Sequence, residues 1–167
     1  GSVNCYLCRD DDGYTLIDAA TPGKAALIFE RLAGFGGAPG DLKRIIITHA
    51  DLDHAGSAKA LQERSGAVVY AGAATADLLR GGRSPRHMPR VAQFLIDAFV
   101  RYGRVPAGAI RVITEGEELP VLGGLRVLAA PGHTPDQHAL YSPATGVLFA
   151  GDALNNRDGR LQLTPPR

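Results

Sequence analysis

The stretch "ITHADLDHAG", residues 47–56, sets His49, Asp51, Asp53 and His54 within six consecutive positions, directly after a run of isoleucines. Imidazole nitrogens and carboxylate oxygens at this density build a core poorly, because each needs a polar partner once buried. They build a metal site well, since Zn²⁺, Fe and Mn²⁺ take these donors. Two further segments offer the same chemistry. "LAAPGHTPDQH" supplies His133 with His138 close behind, and "VLFAGDALNN" supplies Asp152.

Each polar group also has a plainer reading. Asp53 could cap a helix beginning at "AGSAKAL", and His133 and Asp152 could be ordinary loop residues beside glycines. The distribution of histidine weighs against those readings taken together. The chain has five histidines, and four of them fall in two of these segments, leaving only His87 elsewhere.

All three segments follow apolar runs that read as strands, so strand ends would hold the side chains rigidly while loops leave room for a ligand. "VNCYLC" and "YTLIDAA" read as a hairpin turned at "RDDDG". "TPGKAALIFERLAGFGG" reads as a helix, with a proline near its start and glycines to stop it. "LKRIIITHA" is a buried strand, and the chain then loops through the His/Asp cluster into a helix at "SAKALQERSG". "AVVYAG" is a strand and "AATADLLRGG" a helix. "GGRSPRHMP" is a loop, followed by an amphipathic helix at "RVAQFLIDAFVRYG". Strands recur at "IRVIT", "LRVLAAPGH", "HALYS" and "VLFAGDA", the last two joined by a turn at "PATG". The expectation is a single α/β domain over residues 1–167 with mixed sheets.

At 167 residues with 45% hydrophobic content, one substantial core is affordable. A formal net charge of +1 gives no reason to expect nucleic acid as the main partner. The apolar runs are too short to span a bilayer. Cys5 and Cys8 form a Cys-x-x-Cys pair, but residues three apart in a strand point to opposite faces, and no second pair completes a four-cysteine site. Two small buried thiols is the expected reading. With no disulfide framework and no signal-peptide pattern, the expected location is the cytoplasm.

The order His49-x-Asp51-x-Asp53-His54, then "PGHTPDQHALY", then "GVLFAGDAL" resembles the metallo-β-lactamase-fold hydrolases, and the opening hairpin resembles that family's first strands. The resemblance covers nearly the whole chain. It implies a four-layer αββα sandwich of two mixed sheets flanked by helices, with a dinuclear metal site at one edge. It implies that His49, Asp51 and His133 bind a first metal, that Asp53 and His54 bind a second, and that Asp152 bridges them. His138 would support the ligands rather than be one.

Two departures from the family pattern stand out. The family supplies a last histidine ligand from a loop near the C-terminus, followed by a closing strand and helix. Here the sequence ends at "QLTPPR" with no histidine after His138. A truncated sequence is the simplest expectation, leaving the second metal one ligand short and apolar surface exposed, which favours a homodimer. The second departure is Asp51, where the usual pattern has histidine. Aspartate is shorter and adds negative charge, so a metal there is a weaker Lewis acid. Zinc is the first expectation, one or two ions, with Fe or Mn²⁺ as alternatives because of Asp51. The flavodiiron branch places Glu at this position and uses iron.

The reading this supports is a metal-dependent hydrolase whose activated hydroxide attacks an ester, thioester, lactone, amide or phosphoester. Asp53 is its expected proton acceptor. A di-iron redox protein and a non-catalytic domain retaining the fold are the competing classes. Arg83, Arg86, His87 and Arg90 form a candidate loop for an anionic small-molecule substrate. Neither a nucleic acid nor a membrane is expected as a partner.

Overall fold

The computed structural model describes residues 3–85, 103–157 and 159–164. The opening hairpin forms as its pattern predicts: β1 (Tyr6–Asp10) pairs antiparallel with β2 (Gly13–Ile17) across the Asp11-Asp12 turn. Parallel strands β3 (Leu42–Ile47), β4 (Val68–Gly72) and β5 (Ile110–Ile113) then add in sequence order, giving a five-stranded mixed sheet. Parallel neighbours need crossovers, and helices supply them. These are α1 (Ala25–Gly34), the single turn α2 (Leu52–Ala55) with α3 (Ala58–Ser65), and α4 (Ala73–Gly81).

Alternation along the strands divides the core in two. Leu16, Ile45, Ile47, Val69 and Ala71 point to α1, α3 and α4 and form the first cluster. Their neighbours Ile17, Ile46 and Tyr70 point the other way. There they meet Leu119, Leu125, Val127, Leu140 and Phe149 of a second sheet. That sheet is antiparallel: β6 (Glu118–Leu119), β7 (Leu125–Ala129), β8 (His138–Ser142) and β9 (Val147–Phe149). Ile45, Ile46 and Ile47 are all fully buried, so β3 feeds both faces of the sandwich. Each such side chain contributes about 1.5–3 kcal/mol relative to exposure. A ribbon of β10 (Leu154–Arg157) and β11 (Arg160–Leu163) follows Asp152.

The sequence pattern foresaw β1 to β5, β7 to β9, α1, α3 and α4. It missed β6, which is two residues long, and the β10–β11 ribbon, whose second strand is exposed throughout. The His/Asp stretch is also less of a loop than its composition suggests, because Leu52–Ala55 makes a helical turn with Asp51 at its N-cap. Asp53 therefore lies inside a helix and does not cap one. The amphipathic helix expected over 90–103 lies almost wholly outside the described residues. Helices, first sheet and second sheet give three of the four expected layers. On the second sheet's outer face Tyr141 and Leu148 are paired in register and exposed, so no described helix covers them. Cys5 packs against the first cluster and Cys8 within the second, both as free thiols on opposite faces.

Candidate metal centre

His49 and Asp51 leave the end of β3, His54 rides on α2, His133 precedes β8, and Asp152 sits in the 3₁₀ turn after β9. His49, His54 and His133 are buried, Asp51 is 6% exposed, and the Asp152 side chain is 34% exposed. His49, His133 and Asp152 each present one donor atom, and these lie within 4.8 Å of one another. Asp51 Oδ2 stands 3.0 Å from His133 Nε2 and 3.6 Å from His49 Nε2. Asp152 faces His54 and His133, with Oδ1 3.2 Å from His54 Nε2 and Oδ2 3.5 Å from His133 Nε2. The rings of His49 and His54 have centroids 4.1 Å apart.

Five of the six expected ligands thus converge, and Asp53 does not join them. Successive helical residues turn by roughly 100°, so with His54 facing the cluster Asp53 faces elsewhere. It lines a different cavity, with Cys5, Leu16 and Ile28. His138 packs its ring on Gly72, where a Cβ would come within 2.4 Å of the ring. Its backbone N–H donates to the Thr48 carbonyl at 3.0 Å, tying the His133 loop to the His49 loop. Arg83 is an exposed residue after α4. Arg86, His87 and Arg90 lie outside the described residues.

One residue at the site was not expected: Asp18, at the end of β2. It is 3% exposed and has φ +59°, a left-handed conformation that aspartate tolerates better than most residues. Its Oδ1 accepts the Thr48 N–H at 2.9 Å, its Oδ2 the Thr48 hydroxyl at 2.9 Å, and Oδ2 also lies 2.7 Å from His54 Nδ1. A carboxylate behind a histidine fixes the ring's orientation and leaves the other nitrogen facing the site. The only signal was an aspartate closing the strand "YTLID", and its partners are 30 and 36 residues away.

The electrostatics follow from this packing. Burial opposes a charged His54 ring, but hydrogen bonds to Asp152 and Asp18 outweigh it and push its pKa up to about 10. Hydrogen bonding to His54 holds Asp152 down at about 2, against the opposing pull of partial burial. A buried polar atom without a partner carries a penalty. His49 Nε2 is such an atom, with Asp51 Oδ2 beyond hydrogen-bond reach, while Nδ1 of the same ring lies 3.1 Å from the Thr48 hydroxyl. Two imidazoles and a carboxylate converging on one place, with such a nitrogen among them, fit a divalent cation.

Two sheets packed face to face, with histidines and aspartates gathered from both at one edge, define an αβ sandwich with a candidate metal-binding edge. The sequence pattern of the Metallo-beta-lactamase superfamily matches residues 1–164, and the chain belongs to that superfamily. Among curated relatives, the chain is 34% identical over 158 residues to the "Uncharacterized protein YobT" of Bacillus subtilis, covering 94% of this chain and 64% of that one. It is 28% identical to the "Probable metallo-hydrolase YflN" of the same organism, covering 91% of this chain and 61% of the relative. It is 30% identical to the "Hydroxyacylglutathione hydrolase GloC" of Haemophilus influenzae, at 90% and 66%. Among solved structures, the Rm3 metallo-beta-lactamase superposes with a TM-score of 0.71 at 29% identity, covering 83% of this chain and 49% of that one. The chain therefore spans about two thirds of the length of these curated relatives. No helix among the described residues is long and apolar enough to cross a membrane.

Proposed function

We propose that this chain carries the metal-binding part of a hydrolase that cleaves an ester, thioester, lactone, amide or phosphoester. The observation that carries the reading is the meeting of His49, His133 and Asp152 donor atoms within 4.8 Å, beside a cavity of about 540 Å³ that Asp152 and His54 line. Zinc is the ion proposed, in one or two copies, with Fe or Mn²⁺ favoured to the extent that Asp51 takes part. Such an ion, when bound, lowers the pKa of a water and polarises the bond to be cleaved.

The chain's own residues then have definite tasks. His49, His133, Asp152 and Asp51 would hold the ion, and Asp18 would hold His54 in the orientation that faces the site. In hydrolysis of an acyl substrate the water oxygen bonds to the carbonyl carbon, and the bond from that carbon to its oxygen, sulfur or nitrogen leaving atom breaks. The water's proton ends on the leaving atom. Asp51 and Asp152 are the carboxylates at the cluster able to relay it. Asp53 borders another cavity and would serve only if its side chain turned towards the cluster. The proposed partner is a small molecule, with neither nucleic acid nor a membrane involved. A homodimer and a cytoplasmic location complete the reading.

Elemental analysis of the purified protein, paired with a hydrolysis assay over those substrate classes, tests it. Bound zinc or manganese with turnover supports the proposal, two irons without hydrolysis would favour redox chemistry, and no metal would favour a non-catalytic domain. Asp51→Ala is expected to lower metal content and turnover together. Unchanged values would remove Asp51 from the ligand set.

A further inference from the structure

Beyond the reacting groups, the cavity beside Asp152 has a wall of a definite kind. Building on the hydrolase reading, we propose that the acyl part of the substrate is neutral and apolar and lies against Tyr6 and Phe149. The cavity's volume of about 540 Å³ is within the range of pockets that enclose small ligands. Asp152 and His54 stand on it, with Asp18 behind. Its other wall is made by Tyr6, Phe149, Leu154 and Leu161. Tyr6 and Phe149 meet edge to face with ring centroids 5.1 Å apart, which makes a stiff apolar corner. Tyr6 is 45% exposed, so hydrocarbon laid on its ring would be removed from water.

Charge points the same way. Among the described residues no lysine or arginine lines this cavity, and its acidic groups are Asp18 and Asp152. An acyl group bearing a carboxylate would lose water there without gaining a lysine or arginine partner among the described residues. The cations Lys24 and Arg31 line a different cavity, beside α1. Asn4, Asn155 and Asn156 also line this one, and their amides can meet neutral carbonyl or hydroxyl groups. Asn155 already donates to the Thr164 hydroxyl at 2.6 Å, which keeps its amide in place.

The test is a set of esters with one leaving group, given to the metal-loaded protein: acetyl, butanoyl, pentanoyl, hexanoyl and hemisuccinyl. Turnover, as kcat/KM, should rise about fourfold per added methylene until the cavity is filled. Pentanoyl should exceed its charged near-isostere hemisuccinyl by about tenfold or more. Tyr6→Ala should cut the hexanoyl-to-acetyl ratio about fivefold, and Tyr6→Lys should move preference from pentanoyl towards hemisuccinyl. A flat chain-length profile, equal rates for the two isosteres, or ratios untouched by both variants would overturn the proposal. A parallel binding arm uses hexanamide, followed by amide NMR shifts at Tyr6 and Phe149. If no ester is cleaved yet hexanamide moves those signals, the hydrolase reading fails and the apolar wall stands. If esters are cleaved without acyl selectivity and hexanamide moves nothing, the wall fails and the hydrolase reading stands.

Discussion

Asp18 holds together more of the site than any residue its own sequence context would single out. It accepts hydrogen bonds from the Thr48 N–H and hydroxyl and faces His54 Nδ1 at 2.7 Å, all in a buried place. Asp18→Ala would leave the Thr48 N–H and His54 Nδ1 without an acceptor, at an expected cost of about 3 kcal/mol in urea unfolding. Asp18→Asn keeps an acceptor and a side chain suited to φ +59°, so a loss as large as alanine's would show that the charge and not the hydrogen bonding matters. The same pair sets a pH dependence in metal-free protein. The folded His54 pKa of about 10 lies above its ordinary 6.5, so its stabilisation is complete below pH 6.5 and is lost as pH rises towards 10. Denaturation midpoints of metal-free protein should therefore fall between neutral pH and pH 10, and Asp18→Asn should flatten that fall. A midpoint that stays level over this range in the parent protein would count against the pairing.

Close approach between elements is what brings these side chains to their places, and glycines report it. Gly56 joins α2 to α3, and a Cβ there would stand 2.3 Å from Pro22 Cδ and 2.4 Å from the Leu52 carbonyl. Neither neighbour can swing aside, so Gly56→Ala should destabilise by about 2 kcal/mol and displace α2. Gly34, the last residue of α1, has nothing within 4 Å of such an atom. Gly34→Ala should therefore stabilise by up to about 0.5 kcal/mol, less than at a mid-helix position. Thermal or urea melts that give both variants the same sign would show that the packing around Gly56 is misread. These elements also show why the sequence was legible in part. Ile45, Ile46 and Ile47 announce a strand buried on both faces because each is hydrophobic whichever way it points. The turn at Leu52–Ala55 is hidden, since four residues are too few to show a helical period. In the β10–β11 ribbon, "LNNR" lacks the alternation that marks a strand, and "RLQL" alternates over only four residues, none of them buried. His49, Asp51, His54, His133 and Asp152 could be found by residue type and order. Asp18 could not, because its role depends on β2 lying beside β3, and only the paired strands show that. Asp53 stood out for the same composition as its neighbours, yet one step along α2 turns it to another cavity.

Across the whole molecule the cluster is a junction between two sheets. His49 and Asp51 extend from β3 of the first sheet, whereas His133 and Asp152 flank β8 and β9 of the second. Without an ion, the ligand loops are joined by a backbone hydrogen bond of 3.0 Å from His138 to Thr48 and by the side-chain pairs Asp51–His133 and Asp152–His54, which crowd buried charge and imidazole together. An ion held by residues from both sides would staple the sheets, and its binding free energy would add directly to folding free energy. At free metal near a hundredfold its Kd the gain is about 2.7 kcal/mol, which for a chain of this size corresponds to roughly 5–10 °C in Tm. Melting curves of chelator-stripped protein, with zinc, manganese or ferrous iron added back, measure it. His49→Ala and Asp152→Ala, on different sheets, should each abolish the increment, while Leu27→Ala on exposed α1 surface should keep it. Asp51→His should raise the shift produced by zinc relative to that of manganese, because a nitrogen donor replaces a hard, charged oxygen. A Tm indifferent to all three metals would mean that the convergence of these side chains does not hold an ion.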